Sequence, residues 1–345
     1  MMRAMVPSRG LRFACTGAPA MARAHMCRST ALSGIEEARE HLLSDGYAHL
    51  RLGVDAPLRE MDSAARQLMN LAEAEGGSYN GGGGVARKTI GDSSFLNASA
   101  GAPAELPVQF HNEMAYSANV PKHVAFAMVS QAGEGGTTLL ADNVQVTKLL
   151  SAPLKSKLRD MGVQYVRNLN DESERDQPDY YLSWQGAFQT DVMEDAMNKG
   201  NTEVSVLRRQ GDGPRLQQIS WSPVFFDHPT FGTLYFSSIL NRHGSWLDGH
   251  SVFGKMPHKD RPYHCVWGDG AEFSEQEIRE LRAVHDESTL QVHLDKGDVI
   301  ILDNLRVAHG RTSYQGDRLM GLLLGHMIDR MYKPPAVFRS FCDGL

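Results

Sequence analysis

Apolar residues recur along this chain with two periods. S-G-I-E-E-A-R-E-H-L-L, from Ser33, puts Ile35, Leu42 and Leu43 on one stripe of a helix. Ser33 has Glu36 three positions on, the spacing of a capping box, and Gly46 ends the helix. Residues 47–52 read as a strand. Residues 57–74 form a second helix with Leu58, Met61, Leu68 and Leu71 on one face. Further on, 143–161 is helical with an interruption at Pro153, and 163–168 is a strand. S-W-Q-G-A-F-Q-T at 183–190 leads into a short acidic helix that ends near Gly200. Between 202 and 239, short apolar runs (E-V-S-V-L, L-Q-Q-I-S-W, T-L-Y-F-S) alternate with Gly and Pro turns, which is the strand signal. Residues 274–288 form a helix with Ser274 and Glu277 as capping box and Phe273 and Ile278 at staple positions. Three more strands are predicted at 290–294, 298–302 and 318–326. No internal repeat or linker interrupts 33–345. The pattern predicts one α+β domain, an antiparallel β-core with flanking helices, most economically a double-stranded β-helix of the jelly-roll type.

Composition narrows the possible partners. The chain has 345 residues, with 35 Lys and Arg against 41 Asp and Glu, for a net charge of -6. No basic surface for nucleic acid is implied. No apolar run approaches the roughly 20 residues of a membrane-spanning helix, and 319–324 suits a buried strand. The first thirty residues stand apart: Arg3, Arg9, Arg12, Arg23 and Arg28 are present, and the first acidic residue is Glu36. Residues 1–32 therefore read as an organellar transit peptide or a disordered leader. Mitochondrial targeting is the expectation, with plastid and cytoplasm as alternatives. Cys15 and Cys27 lie in that leader, and Cys265 and Cys342 alone make no disulfide framework.

The chemistry centres on F-H-N-E-M-A-Y at 110–116. In an extended chain His111 and Glu113 leave the backbone on one face. His309, in G-D-V-I-I-L-D-N-L-R-V-A-H-G-R at 297–311, offers a third donor. Two histidines and a carboxylate with positions left open form the facial triad of non-haem Fe(II) oxygenases. Arg306 and Arg311 flank His309 and read either as surface charges or as contacts to ligands and substrate. Asp303 and Asn304 brace the loop before it. G-G-G-G-V-A-R-K-T at 81–89 lacks the glycine that a phosphate loop needs before its lysine. It reads as a loop, with Arg87 a candidate for meeting an anionic substrate at the site mouth. The other histidines, His243 and His264 among them, are expected to be satisfied core or surface groups.

Together these stretches resemble the Fe(II)/2-oxoglutarate-dependent dioxygenases of the TauD/TfdA superfamily, in particular the clavaminate synthase-like branch. P-K-H-V-A-F at 121–126, G-G-T-T-L-L-A-D at 135–142, S-W-Q-G-A-F-Q-T at 183–190 and W-G-D-G at 267–270 add to the two blocks above in order and spacing. The resemblance covers roughly 75–330. It implies His111, Glu113 and His309 as ligands of Fe(II), with 2-oxoglutarate and O2 as co-substrates. It implies Thr138 and Arg318, nine positions beyond His309, at the distal carboxylate of 2-oxoglutarate. The implied reaction is oxidation, most simply hydroxylation, of an unactivated C–H bond in an amino-acid-like or other small carboxylate substrate, releasing succinate and CO2. Thr137 stands where the branch usually has Glu, and Y-F-S-S at 235–238 replaces a commoner W-F-N. Two rival functions use the same residues. A zinc hydrolase lacks its H-E-x-x-H and leaves an anion clamp unexplained. A non-catalytic jelly-roll sensor or scaffold does not require the full triad and the arginine.

Overall fold

V-A-F-A-M at 124–128 contains no polar position, as a strand covered on both faces requires. In the computed structural model, which describes Leu32 and residues 34–72, 88–98, 102–174 and 183–343, it lies within Asn119–Ser130. That strand is the middle of a five-stranded antiparallel sheet, in the order Tyr47–Arg51, Asp298–Asp303, Asn119–Ser130, Leu319–Asp329, Leu96–Asn97. Period two then decides what faces what. Val124, Phe126 and Met128 point inward with Ile300, Leu302, Leu322 and Leu324. Ala125, Ala127, Val299, Ile301 and Leu323 point outward, under the helices Ile35–Asp45 and Leu58–Met69.

A second antiparallel sheet, in the order Thr289–Val292, Thr138–Asp142, Val307–Arg311, Val108–His111, gives Leu140, Val292 and Val307 to the same inner core. Its other face, with Phe110, Ala141 and Ala308, packs on the helices Asn143–Leu149, Ala152–Met161 and Glu275–Glu287. A third sheet (Tyr263–Trp267, Val163–Leu169, Leu216–Ser222, Ser205–Arg209) closes that side through Val163, Tyr165, Cys265 and Trp267. The architecture is α+β with antiparallel sheets, and among the described residues no helix is long and apolar enough to cross a membrane.

Several predicted boundaries move, each for a local reason. The first helix begins at Ile35 with Gly34 as its N-cap, one position later than the Ser33 cap that was expected. Ser33 itself lies outside the described residues. The second helix stops at Met69, because Asn70 turns left-handed at φ 55° and its N–H returns to Arg66 O and Gln67 O. Pro153 does not break 143–161. The break is at Leu150 and Ser151, and Pro153 sits in the first turn of the next helix, where its missing N–H costs nothing. The capping box of Ser274 and Glu277 is present. Leu32, counted with the leader on composition, belongs to the fold. Its N–H donates to His49 O at 2.8 Å, and its carbonyl accepts from Arg51 N–H at 3.0 Å. Residues 1–31, the loop 81–84 and Arg87 lie outside the described residues.

Candidate active site

His111 ends the edge strand of the second sheet, and His309 stands directly opposite it in the neighbouring strand. The two imidazoles are thereby side by side, ring centroids 4.2 Å apart. The ladder slips between His309 and Arg311. Gly310 permits this, because a Cβ there would lie 2.6 Å from Val108 O.

Glu113 differs from its expected setting. The strand stops at His111, so Glu113 is not the next inward position of an extended chain. It sits in a turn whose following residue, Met114, has φ 60°. The turn still brings its carboxylate to the imidazoles. Glu113 Oε2 is 3.9 Å from His111 Nε2 and 3.8 Å from His309 Nε2, and the three donors lie within 4.8 Å of one another. Those gaps are too long for hydrogen bonds. Adjacent donors around one cation at bond lengths of about 2.0–2.2 Å would stand roughly 3 Å apart, so a bound cation would draw the carboxylate and the two imidazoles closer by about 1 Å. His111 Nδ1–H donates to Gln109 O at 3.0 Å, which leaves the Nε2 lone pair facing the cluster. His309 packs on the Phe126 ring, and both it and Glu113 are buried.

Arg318 immediately precedes the strand Leu319–Asp329. It is half-buried, and its Nε has no hydrogen-bond partner among the described residues. Burial, with the nearby Arg311 cation adding to it, lowers its pKa to about 10. Both guanidiniums lie over the Tyr314 ring, Arg311 at 4.6 Å and Arg318 at 5.6 Å from its centroid. Gly136, at φ +71°, lets this cluster form, since a Cβ there would meet Arg318 Nε at 3.3 Å and Tyr314 Cβ at 3.4 Å. Thr138 is buried and in register with Arg311.

Arg306 and Arg311, the candidates for substrate contact, are bound to the protein. Arg306 donates to Ser44 O and Asp142 and covers the Phe231 ring. Arg311 donates to the carbonyls of Leu106, Pro103 and Thr312. Sequence reasoning missed Asn112, which lies between two of the three donors yet is fully buried. Its Oδ1 accepts from Asn143 Nδ2 and Ser237 N–H, and its carbonyl accepts from Ser238 Oγ. Its place in H-N-E was the only signal available, since the strand ends at His111 and alternation does not continue to Glu113.

A second group, His243, His264 and Glu272, also brings donor atoms within 4.8 Å. Hydrogen bonds occupy both nitrogens of His264: Nδ1 accepts from Gly244 N–H at 3.0 Å and Nε2–H faces Glu272 at 2.8 Å. No lone pair remains there for a metal. Burial, reinforced by His264 and His258, lowers the His243 pKa to about 3. This group fits the structural reading of those histidines.

A sequence model described as "Taurine catabolism dioxygenase TauD, TfdA family" matches residues 28–324. Dapdiamide synthesis protein DdaC of Enterobacter agglomerans is 26% identical over 290 residues, 79% of each chain. Clavaminate synthase-like protein At3g21360 of Arabidopsis thaliana is 22% identical over 244 residues, 70% of each chain. A solved structure of an asparagine oxygenase in complex with Fe(II), 2S,3S-3-hydroxyasparagine and succinate superposes with a TM-score of 0.48 at 15% identity, over 84% of this chain and 77% of that one.

Proposed function

The chain belongs to the TauD, TfdA dioxygenase family, and on that premise we propose that it oxidises a small, amino-acid-like or carboxylate substrate with Fe(II), 2-oxoglutarate and O2. The observation that carries this reading is a pair of features on one scaffold. The Glu113 carboxylate stands 3.9 and 3.8 Å from the two imidazoles, with all three donors within 4.8 Å of one another, and Arg318 is a half-buried cation whose Nε has no hydrogen-bond partner among the described residues. A facial triad needs the first, and a diacid co-substrate needs the second. The first two sheets, with Leu140 and Phe126 in one shared core, form a double-stranded β-helix in this reading.

His111, Glu113 and His309 hold the metal. A bound Fe(II) would supply the oxidation of a C–H bond, coupled to conversion of 2-oxoglutarate and O2 to succinate and CO2. Residues of the chain do the rest. His111 is fixed in its ligating tautomer by Gln109 O. Arg318 and Thr138 bind and orient the distal carboxylate. Phe126 lines His309 with apolar surface, which excludes water. Arg306 and Arg311 hold chain segments in place. The substrate class follows the clavaminate synthase-like resemblance and the relative named for dapdiamide synthesis. The test is succinate formation from 2-oxoglutarate in the presence of a panel of amino acids and small carboxylates. Turnover should require added Fe(II). Activity supported by Zn2+ alone, without succinate, would refute the proposal.

A further inference from the structure

Glu113 has no strand to hold it, yet its carboxylate must keep a fixed place relative to His309. We propose that Asn304 is the positioning residue that supplies the missing strand pairing. This rests on the metal-site reading above. In an antiparallel ladder, a residue is gripped when its N–H and C=O both bond one partner. The side-chain amide of Asn304 does this for Glu113. Asn304 Oδ1 accepts from Glu113 N–H at 2.7 Å, and Asn304 Nδ2 donates to Glu113 O at 3.1 Å. The same Nδ2 donates to Pro121 O at 2.8 Å.

The main chain of Asn304 is equally committed. Its N–H donates to Lys122 O at 2.8 Å, and its carbonyl accepts from Asn112 Nδ2 at 2.7 Å. Every polar group of Asn304 is therefore engaged, and the residue is fully buried. It also stands in the turn between Asp298–Asp303 and Val307–Arg311, the strand that carries His309. One side chain thus ties the peptide of the acidic ligand to the hairpin of the third ligand. It touches neither the ligand atoms nor a substrate.

Co2+ binding to metal-free protein, followed by calorimetry, tests this beside the thermal midpoint of the same metal-free samples. Asn304→Ala should weaken Co2+ binding about 10–100-fold, the usual effect of removing an outer partner of a metal site. Asn304→Asp keeps the acceptor for Glu113 N–H but loses both donors, and serves if the alanine variant does not fold. It should weaken binding about tenfold or more. Asn143→Ala is the control, since Asn143 reaches Asn112 but not Glu113. It should lower the thermal midpoint while moving Co2+ affinity by no more than about threefold. If folded Asn304 variants bind Co2+ as the wild type does, or Asn143→Ala weakens it equally, the positioning role is refuted. His309→Ala separates the two readings. If it binds Co2+ like the wild type, the metal assignment itself has failed.

Discussion

Arg318→Ala removes the cation assigned to the distal carboxylate of 2-oxoglutarate. Its guanidinium sits beside another cation, Arg311, and burial lowers its pKa to about 10. An arriving carboxylate relieves both effects. A hydrogen bond between charged groups contributes about 1.5–3 kcal/mol. At roughly 1.4 kcal/mol per decade, its loss should raise the KM for 2-oxoglutarate about 10- to 150-fold. Arg318→Lys should recover only part of this, because an ammonium cannot reproduce the planar fork. Co2+ affinity should be almost unchanged in both, since no described contact joins Arg318 to the three ligands. Arg311→Ala should act differently. That side chain holds the carbonyls of Pro103, Leu106 and Thr312, so its loss should lower stability more than it raises KM. The assay is initial-rate succinate formation against 2-oxoglutarate concentration for all three variants. If Arg311→Ala no longer saturates with 2-oxoglutarate and Arg318→Ala does, the clamp belongs to Arg311.

Three further outcomes are expected. His309→Ala and Glu113→Ala should each abolish succinate formation while keeping a cooperative thermal transition, because both sheets are held by apolar packing around the site; wild-type turnover in either would remove the metal assignment. A chain beginning at Ala31 should match the full chain in solubility and turnover, whereas one lacking Leu32 should melt earlier, having lost the bonds to His49 and Arg51; equal melting of the two would show that Leu32 adds nothing. For acid stability, the fully buried Asp298 is informative. Burial alone would raise its pKa, but bonds from His49, Arg51 and Asp295 N–H outweigh it and hold the carboxylate below its ordinary value. The stability it provides is therefore complete above the unfolded carboxyl pKa of about 4 and is lost as pH falls through the lower folded value. Asp298→Asn should cost about 1.5–3 kcal/mol at pH 7, a gap that closes in acid; a pH-independent gap would contradict this assignment.

The scaffold was legible where burial repeats with a fixed period. The run 319–324 suited a buried strand and lies in one, and Ser274 with Glu277 marked a helix start that the structure keeps; the central strand Asn119–Ser130 was not read from the sequence. Boundaries failed where a single residue's conformation decides, as at Asn70 and at Ser151. The convergence of His111, Glu113 and His309 was expected from the sequence and is present, but the reason offered for Glu113 was not the one the chain uses. Periodicity describes positions inside an element. His111 is the last residue of its strand, Glu113 lies beyond it, and Arg318 precedes another. At such positions side-chain bonds to main chain set the geometry, and those bonds cross 191 residues of sequence between Asn304 and Glu113. No local pattern encodes a partner so distant.

Register also bears on whether the donors and the clamp serve one co-substrate. His111, His309 and Leu140 form one row across the second sheet, and Arg311 and Thr138 are partners in the row two residues along. Leu140 faces the inner core, so Thr138, two positions away in the same strand, faces inward too. The two rows are separated by about 7 Å, at roughly 3.4 Å per residue. Arg318 approaches the second row from the next sheet through the shared Tyr314 contact. A molecule with a chelating group at one end and a carboxylate at the other, joined by a short carbon chain, matches that separation. Two independent small anions would not require it. The Arg318 and metal-ligand variants should therefore couple. In 2-oxoglutarate binding, the double variant should lose less than the two single losses combined, because either change alone already releases one end of the same molecule.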